Sequence, residues 1–86
     1  MDIGIEISLY PLQHDYAPLI HEFLARLSAR PGLRVVTNSM STQVFGGYEV
    51  VMQALQVELR ATLDLLKSRG ERGVLVMKLL GPLPEG

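Results

Sequence analysis

Residues Ile3 to Tyr10 alternate without a break. Ile3, Ile5, Ile7 and Leu9 fall on one side, and Asp2, Gly4, Glu6, Ser8 and Tyr10 on the other. A period of two carried by β-branched residues predicts a half-buried strand, closed by Pro11. The period then changes. Tyr16, Leu19, Ile20, Phe23, Leu24 and Leu27 recur at helical spacing, the stripe of a helix laid on a core. Asp15 stands where it caps that helix, Pro18 falls in the first turn, and Arg30-Pro31-Gly32 stops it. Glu22 and Arg26 form a favourable i, i+4 pair on its wet side.

Leu33 to Thr37 reads as a second strand, Asn38 to Ser41 as a polar turn and Thr42 to Gly46 as a third strand. Gly46-Gly47 releases the chain into a second helix from Tyr48 to about Arg69. Glu49, Gln53, Gln56, Arg60, Asp64 and Lys67 form its polar stripe, and Val51, Leu55, Leu59, Leu63 and Leu66 the opposite one. Val50, Val57 and Leu65 widen the apolar arc beyond what one sheet requires, which leaves room for a second contact. Gly70 ends the helix, and Gly73 to Leu80 forms a last strand. The Pro- and Gly-rich segment 81–86 reads as a flexible tail on a single domain of residues 1–80. Strand, helix, strand, strand, helix, strand predicts an α+β, ferredoxin-like βαββαβ fold. Its four-stranded antiparallel sheet carries both helices on one face.

Composition narrows the function. The chain has 86 residues, 48% hydrophobic and 20% charged, which is ordinary for a globular domain. Eight basic against nine acidic side chains argue against nucleic acid. The absence of cysteine excludes disulfides, thiolate metal sites and cysteine catalysis. No apolar run is long enough for a membrane span, and no basic segment precedes an apolar one at the N-terminus. A cytoplasmic location is therefore expected. His14 and His21 lie seven apart with no carboxylate spaced for a metal, so neither metal nor cofactor is expected. Small domains without such staples commonly gain stability by oligomerising.

In the usual strand order of this fold, 4-1-3-2, the end of the first strand at Tyr10 is expected beside Ser41 and Thr42. The turn Asn38-Ser39-Met40 and the helix start at His14 and Asp15 belong to the same end. Glu6, Ser8, Tyr10, Gln43 and Phe45, with Val36 and Lys78, are expected on the face that the helices leave bare. Tyr10, Val36 and Phe45 make this face too apolar to stay wet. Burying Glu6, Ser8 and Gln43 costs about 1–3 kcal/mol each unless they find hydrogen bonds. The combination points to a homodimer or homotetramer closed through the open sheet face, with pockets for a small molecule. Blander readings stay open. The dimer could hold no ligand, Glu6 could simply face Lys78, and the segment Ser39 to Gln43 could be ordinary turn chemistry. Gly46-Gly47 is a bend more readily than an anion cradle.

The first strand closes in Glu6-Ile7-Ser8-Leu9-Tyr10-Pro11-Leu12. The hairpin reads Thr37-Asn38-Ser39-Met40-Ser41-Thr42-Gln43-Val44-Phe45-Gly46. A strand ending "ISLYPL", followed by a polar turn and "T-x-V-x-G", resembles the YkoF-like thiamine-binding family over residues 3 to 80. The resemblance implies a non-enzymatic module that binds thiamine or its hydroxymethylpyrimidine half. Single-module members of such families assemble through their sheets. Phe45 departs from relatives that carry an acidic residue there, which shifts ligand preference or strengthens the interface. Tyr10 and Phe45 would then supply walls. Asn38, Ser39, Ser41, Thr42 and Gln43, with Ser8 beside them, would supply hydrogen bonds, and Glu6 would supply the negative charge.

Three other classes compete. An oxygenase-type dimer or acylphosphatase-like hydrolase needs a catalytic set, yet Pro11 to Asp15 lacks the arginine that the latter requires. A regulatory module for amino acids would normally be joined to an enzyme domain. An RNA-binding sheet would want basic residues around Tyr10 and Phe45.

Overall fold

The computed structural model describes residues 1–12 and 17–84. The Asp15 cap, Tyr16 and His14 therefore lie outside the described residues. The elements are β1 (Asp2–Pro11), α1 (Ala17–Ser28), β2 (Arg34–Thr37), β3 (Thr42–Gly47), α2 (Tyr48–Ser68) and β4 (Gly73–Leu83). They form one antiparallel sheet in the order β2-β3-β1-β4. This is the expected ferredoxin-like α+β arrangement.

Alternation in β1 does what its pattern demands. Ile3, Ile5 and Ile7 are buried with Val44 of β3, against Phe23 and Leu27 of α1 and Val51, Ala54 and Leu55 of α2. Full burial of such side chains contributes roughly 1.5–3 kcal/mol each. Ile5 faces Val44 and Glu6 faces Gln43 across the β1–β3 ladder, so the register carries the polar set outward. The helices do not roof the whole sheet. α2 lies over β3 and β1, while Met77 and Leu79 on the helix side of β4 stay 46% and 55% exposed.

Two expectations need correction. β4 runs past Leu80 to Leu83, so residues 81–83 belong to the strand rather than to a tail. Leu83 pairs with Asp2, across a register shift between Asp2 and Gly4. Pro82 is tolerated because β4 is an edge strand, where a missing N–H can face outward. On α2 the buried stripe is Val51, Ala54, Leu55, Glu58, Thr62 and Leu66, whereas Leu63 is 47% exposed.

Glu58 is the centre of a clamp between the helices. Its Oε1 accepts from Arg26 Nε at 2.8 Å and its Oε2 from Arg30 Nε at 3.0 Å. Arg26 Nη2 also donates to Thr62 Oγ1 at 3.0 Å, and Arg26 keeps the expected contact with Glu22 at 3.5 Å. Burial alone would raise the Glu58 carboxyl. Hydrogen bonds from Arg30 and Arg26, together with their charges, outweigh it and hold the group below the usual glutamate value.

Glu58→Ala strands two half-buried guanidinium groups and is expected to lower the unfolding free energy by about 2–4 kcal/mol in urea titration. A depressed folded-state pKa means that this stability is fully present above the unfolded value of about 4.3 and disappears as pH falls through the folded one. Wild type should therefore lose more stability than Glu58→Gln between about pH 5 and pH 3. Parallel acid profiles for the two would refute the clamp.

Candidate functional site

The β1–β3 ladder ends at Ile7 and Thr42. Ser8, Leu9 and Tyr10 run on beside β4 alone, opposite Val76, Leu75 and Val74. The expected placement of Tyr10 beside Ser41 and Thr42 is thus corrected: β3 starts too late to reach it. The overhang creates a cleft of about 230 Å³, bounded by Ser8, Leu9 and Tyr10, the hairpin residues Thr37 to Thr42, and Ile20, Phe23 and Leu24 of α1. Leu12 N–H donates to Arg72 C=O. By the alternation of an antiparallel ladder, the Leu9 N–H and C=O then turn toward the cleft side.

Polar groups reach this cleft in different conditions. Asn38 Oδ1 accepts from the backbone N–H groups of Met40 and Ser41 at 2.8 and 3.0 Å. Its oxygen therefore shapes the turn, as the local reading of this segment has it. Ser39 is exposed at the rim. Thr42 is buried on the inward side, and its hydroxyl meets that of Thr37 at 3.1 Å. Ser41 is the junction. Its Oγ accepts from Gln43 Nε2 at 2.8 Å and donates to Glu6 Oε2 at 3.1 Å. The cleft at the sheet end is thereby wired to a carboxylate on the open face.

On that face Glu6, Gln43, Phe45, Lys78 and Leu80 surround a shallow basin of about 400 Å³ over Gly4. Lys78 Nζ stands 3.9 Å from Glu6 Oε1, with its side chain 78% exposed, a separation at which a solvated pair contributes little. Glu6 therefore keeps an oxygen open to a ligand. Phe45 lies across Gly4, where an added Cβ would meet the ring at 2.9 Å. The Arg34 guanidinium sits 4.3 Å from the Phe45 ring centroid. A wall already holding a cation suits a neutral ring or an anion better than a second cation.

Nine residues were expected at the site. Ser8, Tyr10, Asn38, Ser39, Ser41 and Thr42 line the cleft, and Glu6, Gln43 and Phe45 belong to the basin. Ser41 joins the two. The pattern missed Phe23 and Leu24 as cleft walls that also pack in or on the core, Ile20, which lines the cleft beside them, and Arg34, whose position opposite Phe45 follows once β2 is registered on β3. Among the described residues no group of His, Asp and Glu could hold a metal, and His21 is exposed. Among the described residues no helix is long and apolar enough to cross a membrane.

No family model matches the chain, and no curated protein matches it. Solved structures do. A Thermotoga maritima protein named for thiamine biosynthesis/salvage has a TM-score of 0.75 at 20% identity, over 92% of this chain and 82% of that one. A protein from Streptococcus pneumoniae reaches 0.81 at 16% identity, over 96% and 89%. A domain of unknown function, DUF77, from Bacillus cereus gives 0.66 at 15% identity, over 95% and 77%. At these identities the likeness is one of fold.

Gly4→Ala is expected to push the Phe45 ring off the sheet and loosen its stacking with Arg34. The predicted loss is about 1–3 kcal/mol in chemical denaturation. Unchanged stability with the ring in place would show that the basin floor is not fixed by this approach.

Proposed function

We propose that this chain is a non-enzymatic binding module for thiamine or its hydroxymethylpyrimidine half, of the YkoF-like kind, assembled as a homo-oligomer through its sheets. The observation that carries the reading is the relay Gln43–Ser41–Glu6, which links an apolar-walled cleft to an accessible carboxylate. A ligand with a flat, hydrogen-bonding heterocycle at one end and a fixed cation at the other fits that pairing. The aminopyrimidine takes the cleft between Tyr10 and the α1 side chains Ile20 and Leu24, with the Leu9 backbone, Ser39 and Asn38 as hydrogen-bonding edges. The thiazolium meets Glu6 from the cleft side, past Ser41 and away from the Arg34–Phe45 stack. The name of the Thermotoga maritima neighbour supports the same ligand class.

Among the described residues, no group is set up for turnover. Tyr10 has no acid or base paired with it among the contacts of the described residues, and Glu6 is engaged in holding Ser41. Binding rather than catalysis is what this constellation serves.

Isothermal titration is expected to give micromolar affinity for thiamine. Glu6→Gln should weaken thiamine about tenfold or more, roughly 1.4 kcal/mol, and hydroxymethylpyrimidine far less, because only the former carries the cation. Tyr10→Ala should weaken both. Absence of heat and of any thermal shift with either compound would reject the proposal.

A further inference from the structure

The end of the sheet away from the cleft holds two opposite charges that do not meet. Arg34 starts β2 and Asp2 starts β1. Arg34 stands opposite Phe45 and Phe45 opposite Gly4, while Asp2 lies two residues further along β1, opposite Gly47. Strand parity therefore sends both charges to the face without helices. Spacings of roughly 4.8 Å between strands and 3.3 Å per residue put their α-carbons about 12 Å apart. Among the described residues neither side chain has an ion pair or a hydrogen bond, and Arg34 has only the Phe45 ring, 4.3 Å from its guanidinium carbon. The two charges bound one cavity of about 490 Å³, whose apolar walls come from Leu33, Phe45, Leu83 and Pro84.

Glycines make this hollow. At Gly4 an added Cβ would meet the Phe45 ring at 2.9 Å, so the ring lies over β1 because position 4 has no side chain. At Gly46 an added Cβ would meet the Gly32 carbonyl oxygen at 2.8 Å, and this close approach keeps the chain entering β2 against β3. Gly47, opposite Asp2, leaves open space where a side chain would stand. Stacking on Phe45 fixes the plane of the guanidinium and leaves N–H groups at its rim. Such a fork grips a carboxylate through two parallel hydrogen bonds. Asp2 is an acceptor only and calls for a donor.

We propose that this cavity binds a free α-amino acid with an aliphatic side chain. Arg34 takes the carboxylate, Asp2 takes the ammonium, and Leu33, Phe45, Leu83 and Pro84 cover the side chain. A simple anion would leave Asp2 unmatched beside it, and a simple cation would do the same to Arg34. A zwitterion answers both charges at once. Exposed charges contribute little singly, so the aliphatic side chain has to add its own burial to hold the ligand. So few atoms on an open surface give millimolar affinity. Ser41 and Tyr10 lie at the opposite end of the sheet, so this site does not rest on the thiamine reading.

Amide chemical-shift titration of the whole chain with L-leucine tests the assignment. Saturable shifts are expected at Asp2, Leu33, Arg34, Phe45 and Leu83, with Tyr10, Ser39 and Ser41 unmoved. Leucinamide lacks the carboxylate and N-acetyl-leucine lacks the ammonium, and each should bind at least tenfold more weakly. Asp2→Asn and Arg34→Gln should each weaken leucine to the same degree. Arg34→Lys, which keeps the charge and loses the fork, should weaken it severalfold. Circular dichroism checks that each variant keeps the fold. Failure of L-leucine to saturate overturns the proposal. So does equal binding of leucine, leucinamide and N-acetyl-leucine, which would make the hollow merely apolar. Leucine saturation without thiamine heat sustains this site and retires the thiamine reading, and thiamine heat without leucine saturation does the reverse.

Discussion

The structure depends on the register of one central strand. β1 lies between β3 and β4, and its alternation sends Ile3, Ile5 and Ile7 into the core while Glu6 and Ser8 face the open side. A slip of one residue would bury Glu6 and expose the isoleucines. Both halves of the molecule follow from that choice. The helices need the isoleucine surface to pack on, and the candidate site needs the glutamate on the far face, next to Ser41.

The site arises from a mismatch of lengths. β1 has ten residues and β3 six, so β1 outruns the hairpin and leaves a gap floored by α1. A gap between well-packed elements provides a cleft with rigid walls, and the Asn38 turn holds its rim. The same economy appears at the other edge. The two helices, joined by the Glu58 clamp, do not roof all four strands. β4 is the strand left uncovered. The small core and the unfinished edge are thus consequences of one geometry.

Much of this is legible in the sequence. Period-two and period-3.6 patterns placed the elements to within a few residues, and their order determined the topology. The faces of Gln43, Phe45 and Val36 followed from strand parity alone. Glu58 did not emerge, because it belongs to neither the polar nor the apolar stripe read along the second helix. Its signal lay elsewhere in the chain: Arg26 on α1 and Arg30 just beyond its C-terminal end reach the same glutamate of α2. The overhang at Tyr10 was also hidden, since it depends on where the β1–β3 ladder stops and hence on the hairpin's length. Gly81-Pro82 looked like a terminator, although an edge strand tolerates proline on its free side.

The central claim is that the Ser41 junction makes one site of the cleft and the Glu6 face. Amide chemical-shift mapping during a thiamine titration tests it most directly. The account predicts saturable shifts at Glu6, Ser8, Leu9, Tyr10, Ser39, Ser41 and Gln43, with the polar stripe of α2 silent. Shifts centred on α2 or on the Gly46-Gly47 junction, or no shifts at all, would contradict it.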